Sequence, residues 1–201
     1  MNRSILLALG FSLSVSAAGA QAPAGGQRIG LAASLQRSYN GIKLNLTEAA
    51  NKLSDAEYSF RPSPEIRIYG GQFGHTAFYH YVFCSAAKGA PNPNQEDFEK
   101  NEKKMASKVE VMKILADSFA YCDPVFSSLT DESALEFVKQ GANEETRAAV
   151  LANLVRHDNE EYGVITVYIR MKDLVPPSTE RTQRGRGAAP AGQGNLGRGR
   201  Q

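Results

Sequence analysis

Apolar residues recur at helical spacing along four long stretches of this chain, and no stretch alternates with the two-residue period of a half-buried strand. In residues 31–53, Leu31, Leu35, Tyr39, Ile42, Leu46, Ala49 and Leu53 follow at steps of three and four, which places them on one face of a helix. Arg37, Lys43 and Glu48 mark its polar side. Asn45-Leu46-Thr47 fits a glycosylation acceptor, but short acceptor patterns arise by chance and this one lies mid-helix. Ser54-Asp55-Ala56-Glu57 has the order of a capping box, and Pro62 and Pro64 stop any helix beyond it.

A second helix is expected from Ile68–Gly71 to about Ala87, with Phe73, Ala77, Val82 and Ala86 apolar and Lys88-Gly89 then Pro91 as the stop. Residues 89–96 form a longer connection than a tight helical hairpin needs. The third helix is expected from Phe98 to Tyr121, with Met105, Val109, Met112, Leu115, Ala116 and Phe119 on one face and interleaved lysines and glutamates on the other. Asp123-Pro124 should end it. A short helical turn follows at 130–138. Asn143, with Glu144 and Glu145 behind it, reads as the N-cap of a fourth helix that reaches about Met171. Its apolar positions are Ala148, Leu151, Leu154, Val155, Val164, Ile165 and Ile169, and Val175-Pro176-Pro177-Ser178 closes the domain. Four long helices without strands define an all-α chain, a four-helix bundle over residues 31–178.

The ends of the chain differ from this middle. Asn2-Arg3, the apolar run Ser4 to Val15 and Ala18-Gly19-Ala20 have the order of a secretory signal over residues 1–20, with a mature chain starting near Gln21. An uncleaved N-terminal anchor is the alternative, although the run is short for a stable span. Export places the protein in the periplasm or outside the cell. Residues 21–30 read as a linker. Residues 179–201 read as a disordered Arg/Gly-rich tail, with five arginines from Arg181 onward and no acid after Glu180. Setting those five and Arg3 aside from the formal charge of +2 leaves about −4 for residues 21–180, which removes the electrostatic basis for a nucleic-acid partner.

Cys84 and Cys122 are the only cysteines. An oxidising compartment favours a disulfide between them, with two small buried thiols as the alternative. They fall near the ends of the second and third helices, so they meet only if those helices run parallel. A disulfide would therefore exclude a simple up-down-up-down order, and the long 89–96 connection permits the other arrangement.

Three histidines occur. His157 and Glu161 stand one turn apart on a helix, hence on one face. A third donor from His75 on a neighbouring helix completes a set of two imidazoles and one carboxylate, which leaves positions open for water or substrate. The competing reading is an ordinary His–Glu surface pair. Tyr79, four residues after His75, could donate a hydrogen bond to a metal-bound group or could be a core tyrosine with its hydroxyl at the rim. His80 is off that face and reads as a polar residue on the bundle surface, with a supporting role behind the metal ligands as the alternative. Asp158 and Asn159 are placed on the flanks of the site. No Ser–His–Asp order or glycine-rich phosphate loop is seen, and a paired Cys84 would rule out a cysteine nucleophile.

Several runs together resemble the DinB-like (DinB/YfiT) superfamily. They are Tyr58-Ser59-Phe60-Arg61-Pro62, Gly71-Gln72-Phe73-Gly74-His75, Phe83-Cys84-Ser85-Ala86-Ala87-Lys88-Gly89, His157-Asp158-Asn159-Glu160-Glu161-Tyr162-Gly163, Tyr168-Ile169-Arg170 and Val175-Pro176-Pro177. The resemblance covers roughly residues 30–178. It implies an up-down-down-up bundle and a divalent ion, zinc or nickel, on one histidine of the second helix and two of the fourth. His75 and His157 match the first two; Glu161 stands where the third histidine is expected. The carboxylate also admits manganese or iron. By the same resemblance the chain is a metal-dependent hydrolase or a thiol-dependent transferase acting on a small-molecule substrate, with a thiol as cosubstrate; a homodimer is a candidate assembly. Two alternatives remain: a metal-binding protein without turnover, and a non-catalytic binding or structural bundle that has lost its metal.

Overall fold

The computed structural model describes residues 28–187. The signal at 1–20, the linker up to residue 27 and the tail from residue 188 lie outside the described residues. The helices are α1 (Leu31–Ala50), α2 (Tyr69–Lys88), α3 (Glu102–Met105), α4 (Lys108–Ser127), α5 (Asp131–Ala134), α6 (Arg147–Met171) and α7 (Pro177–Gly187). Strands β1 (Phe137–Gln140) and β2 (Asn143–Thr146) form a small antiparallel hairpin between α5 and α6. No described helix is long and apolar enough to cross a membrane.

α1, α2, α4 and α6 make the bundle, and specific pairs fix their directions. Tyr69 at the start of α2 donates to the Ala49 carbonyl at the end of α1 (2.5 Å), so these two run antiparallel. His80 meets Ser118 and, one turn on, Cys84 meets Cys122, so α2 and α4 run parallel. His80 also meets Asp158, and Gln72 donates to Tyr168, so α6 runs back against α2. The order is therefore up-down-down-up. The disulfide Cys84–Cys122 staples the parallel pair, with Cα atoms 5.5 Å apart and both residues fully buried.

The predicted apolar faces supply most of the core, but Leu31, Val109 and Val164, which the spacing put on those faces, are exposed near helix ends or on the outer side of α6. Tyr39, Leu46, Phe73, Leu115, Leu151, Leu154 and Ile165 are all buried, and burial of each such side chain stabilises by about 1.5–3 kcal/mol before entropy is counted. Tyr39 stacks on Phe126 with ring centres 3.9 Å apart. The capping box at Ser54 forms with Glu57. At the start of α2 two glycines allow close approach to α3: a Cβ on Gly70 would lie 1.9 Å from the Met105 carbonyl oxygen, and one on Gly74 2.3 Å from the Met105 sulfur. That contact sets the height of His75 in the bundle.

Four boundaries differ from expectation, each for a local reason. The third helix is interrupted: Asn101 caps α3 and Ser107 caps α4, so two N-terminal caps divide what the apolar spacing joins. Its end runs past Pro124 to Ser127, because proline's missing N–H removes only one bond of the ladder. Asn143 does not cap α6. Residues 143–146 pair instead with β1 through the turn Gly141–Ala142, where Gly141 takes a positive φ of 61°, and Thr146 becomes the cap by accepting from the Ala149 N–H. Finally, Pro177–Gly187 form α7 where the composition points to an unstructured tail from residue 179. α7 carries no apolar face. Polar contacts hold it: Glu180 to Lys52 (2.5 Å), Arg181 to Glu48 and Asn45, and Ser178 to the Tyr162 hydroxyl (2.9 Å).

Candidate metal centre

The antiparallel packing of α2 against α6 brings the three anticipated residues together. His75 lies on the second turn of α2; His157 and Glu161 are one turn apart on α6. Their ligating atoms all fall within 4.8 Å of one another. The Nε2 atoms of His75 and His157 are 3.1 Å apart, and His75 Nε2 is 3.6 Å from Glu161 Oε1. Each of the three side chains is 12% exposed, so the cluster sits just below the surface with a narrow face to solvent.

Tyr79 is placed beside these residues, as its spacing from His75 requires, and its ring packs against both imidazoles. Its ring lies 4.8 Å from the His75 ring and 4.5 Å from the His157 ring, centre to centre. It thereby limits the rotation of both imidazoles.

The hydrogen bonds fix tautomers. Arg67 Nη2 is 3.1 Å from His75 Nδ1. A guanidinium only donates, so Nδ1 accepts and the His75 proton sits on Nε2. That proton points to His157 Nε2, which leaves the His157 proton on Nδ1. Nδ1 of His157 is buried and has no hydrogen-bond partner, and the same holds for Oε2 of Glu161. Two orphaned polar atoms in one cluster are unusual in a folded interior. Above the cluster, Tyr168 donates to the Arg67 carbonyl (2.6 Å) and accepts from Gln72 (2.9 Å), and burial pushes its phenol above the usual range.

The donor set fits a divalent ion. Tetrahedral coordination with bonds of 2.0–2.2 Å separates ligand atoms by about 3.3–3.6 Å; the two separations from His75, 3.1 and 3.6 Å, are close to this, and the third, between His157 and Glu161, lies within 4.8 Å, so the two α6 side chains close in slightly on an ion. Two neutral imidazoles and a carboxylate are a competent set for zinc and leave room for an exogenous ligand. One contact opposes it: a ligating Nε2 puts the proton on Nδ1, facing a guanidinium that cannot accept it. Arg67 is a long, partly exposed side chain and can withdraw.

His80 and Asp158 are not where the spacing from His75 and His157 suggested. Both are fully buried, as is Ser118. His80 Nδ1 is 2.8 Å from Ser118 Oγ, and His80 Nε2 is 3.1 Å from both Asp158 oxygens. Antiparallel packing turns these side chains inward, into a polar chain across α4, α2 and α6. It has the residue types of a hydrolytic triad without access to solvent. Arg67 lies before the start of α2, and no sequence signal singles it out.

A parallel-paired four-helix bundle with two imidazoles and a carboxylate converging between its second and last long helices defines the class of protein. The DinB superfamily model matches residues 44–165, more than half of the chain, and the chain belongs to that superfamily. No curated protein matches it. Among solved structures, it is similar to a DinB-like protein from Bacillus cereus (17% identity, 71% of this chain and 93% of that one, TM-score 0.60). It is also similar to a DinB-like protein from Bacillus subtilis (19% identity, 70% and 92%, TM-score 0.50). Similarity at this level carries the fold.

Proposed function

We propose that this protein binds a divalent metal, zinc ahead of nickel, through His75, His157 and Glu161, and uses it on a small-molecule substrate by hydrolysis or by transfer to a thiol. The observation that carries this reading is the convergence of two imidazole nitrogens and a carboxylate oxygen at ligand–ligand spacing, with orphaned atoms on His157 and Glu161. When bound, such an ion polarises a substrate oxygen or lowers the pKa of a bound water. The chain's own residues hold the site: Tyr79 restricts both imidazoles, and Glu161 brings a negative charge that partly offsets the ion's. Manganese or iron is the less favoured occupant. We place the mature chain, from near Gln21, in the periplasm or outside the cell, supported by the signal-like residues 1–20 and by a disulfide that suits an oxidising compartment. Nothing in its charge favours nucleic acid, and its oligomeric state is proposed as monomer or homodimer.

A second reading has its own observation: 3.1 Å is also the length of an N–H···N hydrogen bond, so His75 and His157 could pair without metal in a non-catalytic bundle. Metal analysis of protein purified without chelator separates the two. The metal reading expects close to one ion per chain in the wild type and none in His157→Ala; a metal-free wild type of full stability leaves the second reading. A screen with thiols, esters and amides then separates turnover from storage.

The Arg67 contact gives a further expected result. Arg67→Gln replaces a donor-only group by one whose amide oxygen accepts from Nδ1–H, and should tighten zinc binding about tenfold in calorimetric titration. Arg67→Lys, still donor-only, should not.

A further inference from the structure

The geometry points to Asp158 as the positioning residue of the metal centre: its carboxylate is the acceptor for the Nδ1–H of His157 and so aims Nε2 at the ion. This rests on the metal reading of His75, His157 and Glu161. Three observations carry it. The His157 Nδ1 is buried and has no partner, although coordination of an ion through Nε2 puts the proton on Nδ1. Asp158 Oδ1 stands 3.9 Å away, just beyond hydrogen-bond reach, so a small rotation of the carboxylate or the ring closes the bond. Asp158 is also fully buried and already held by His80, so water does not compete with the His157 ring for its oxygens.

The rest of the chain explains how Asp158 is kept there. Both its oxygens face His80 Nε2 at 3.1 Å, and His80 is anchored through Nδ1 to Ser118 on α4 at 2.8 Å. Ligand histidines generally donate their second nitrogen to a carboxylate, which fixes ring orientation and raises basicity. Here the carboxylate comes from the residue next to the ligand and is aligned by a buried histidine from the facing helix. The metal centre therefore extends across α6 and α2 to α4.

The test is zinc affinity by calorimetry on the full mature protein, in wild type, Asp158→Asn and His80→Gln, below their unfolding temperatures. Asp158→Asn should weaken zinc binding about 10–100-fold, and His80→Gln, which keeps a donor toward Asp158, should stay within about threefold of wild type. A structural role alone would lower unfolding temperatures and leave the affinity of the folded protein unchanged. Should Asp158→Asn not fold, long-range 1H–15N spectra of zinc-loaded wild type decide: a slowly exchanging His157 Nδ1–H supports the assignment, and a freely exchanging one overturns it. Wild type that binds zinc alongside an Asp158→Asn variant of equal affinity also overturns it. Wild type that takes up no zinc overturns the metal reading itself, a separate and recognisable failure.

Discussion

Replacing Cys84 and Cys122 together by alanine should lower the stability of the mature protein by about 4 kcal/mol, the chain-entropy value for a cross-link spanning 38 residues. For a chain of this size that is a drop in unfolding temperature of about 8–16 °C. The bridge closes the long path from the end of α2 through α3 into the far half of α4, the part of the fold with the least local guidance. Both sulfurs lie in the core, so alanine leaves a small apolar gap and no unpaired polar group. Thermal unfolding of wild type with and without reductant, beside the double variant, checks this. Equal curves would mean that packing of α2 on α4 alone holds the parallel pair.

His80→Leu should be as damaging. It removes the partner of a fully buried carboxylate and one of two partners of the Ser118 hydroxyl, which still donates to the Leu115 carbonyl. Leaving a buried carboxylate without its partner costs about 3–5 kcal/mol. The double substitution His80→Leu/Asp158→Leu removes both polar partners and should recover most of that loss, because an apolar pair of similar volume incurs no desolvation penalty. Urea unfolding of both variants measures the difference. If Asp158 acts as inferred, the recovered double variant will be stable and still poor at holding zinc, which separates folding from the site.

The sequence carried the bundle because its apolar rows are long and regular; the positions of the two cysteines tied parallel packing to a disulfide, and the family resemblance implied the order. Short elements were harder. Asn143-Glu144-Glu145 has the chemistry of a helix start, yet Thr146 can cap as well, and Gly141 offers the turn that lets residues 137–146 pair as a hairpin. Local capping signals cannot choose between two adjacent candidates; the strand pairing does. Spacing joined His157 and Glu161, since a step of four on a helix fixes a shared face; His75, on another helix, could be added only from the scarcity of histidine and the family resemblance.

His80 and Asp158 were misplaced for an instructive reason. Each was judged by its distance from a ligand histidine, and not by the apolar row it interrupts. Phe73, Ala77, His80, Cys84 and Ala87 form one row on α2; Leu151, Leu154, Asp158, Tyr162 and Ile165 form one on α6, and all are buried. A charged residue in step with a core row is itself a signal that it is buried with a partner. Arg67 left no such trace, because its role comes from the chain's path into α2 and from no periodic pattern.

Anomalous diffraction from a crystal of the mature protein grown with zinc tests the metal centre most directly. The expected result is one strong peak per chain within bonding distance of His75 Nε2, His157 Nε2 and a Glu161 carboxylate oxygen, with Arg67 withdrawn from His75. A peak held by other residues, or zinc-saturated crystals in which those three side chains still bond only to one another, would contradict it.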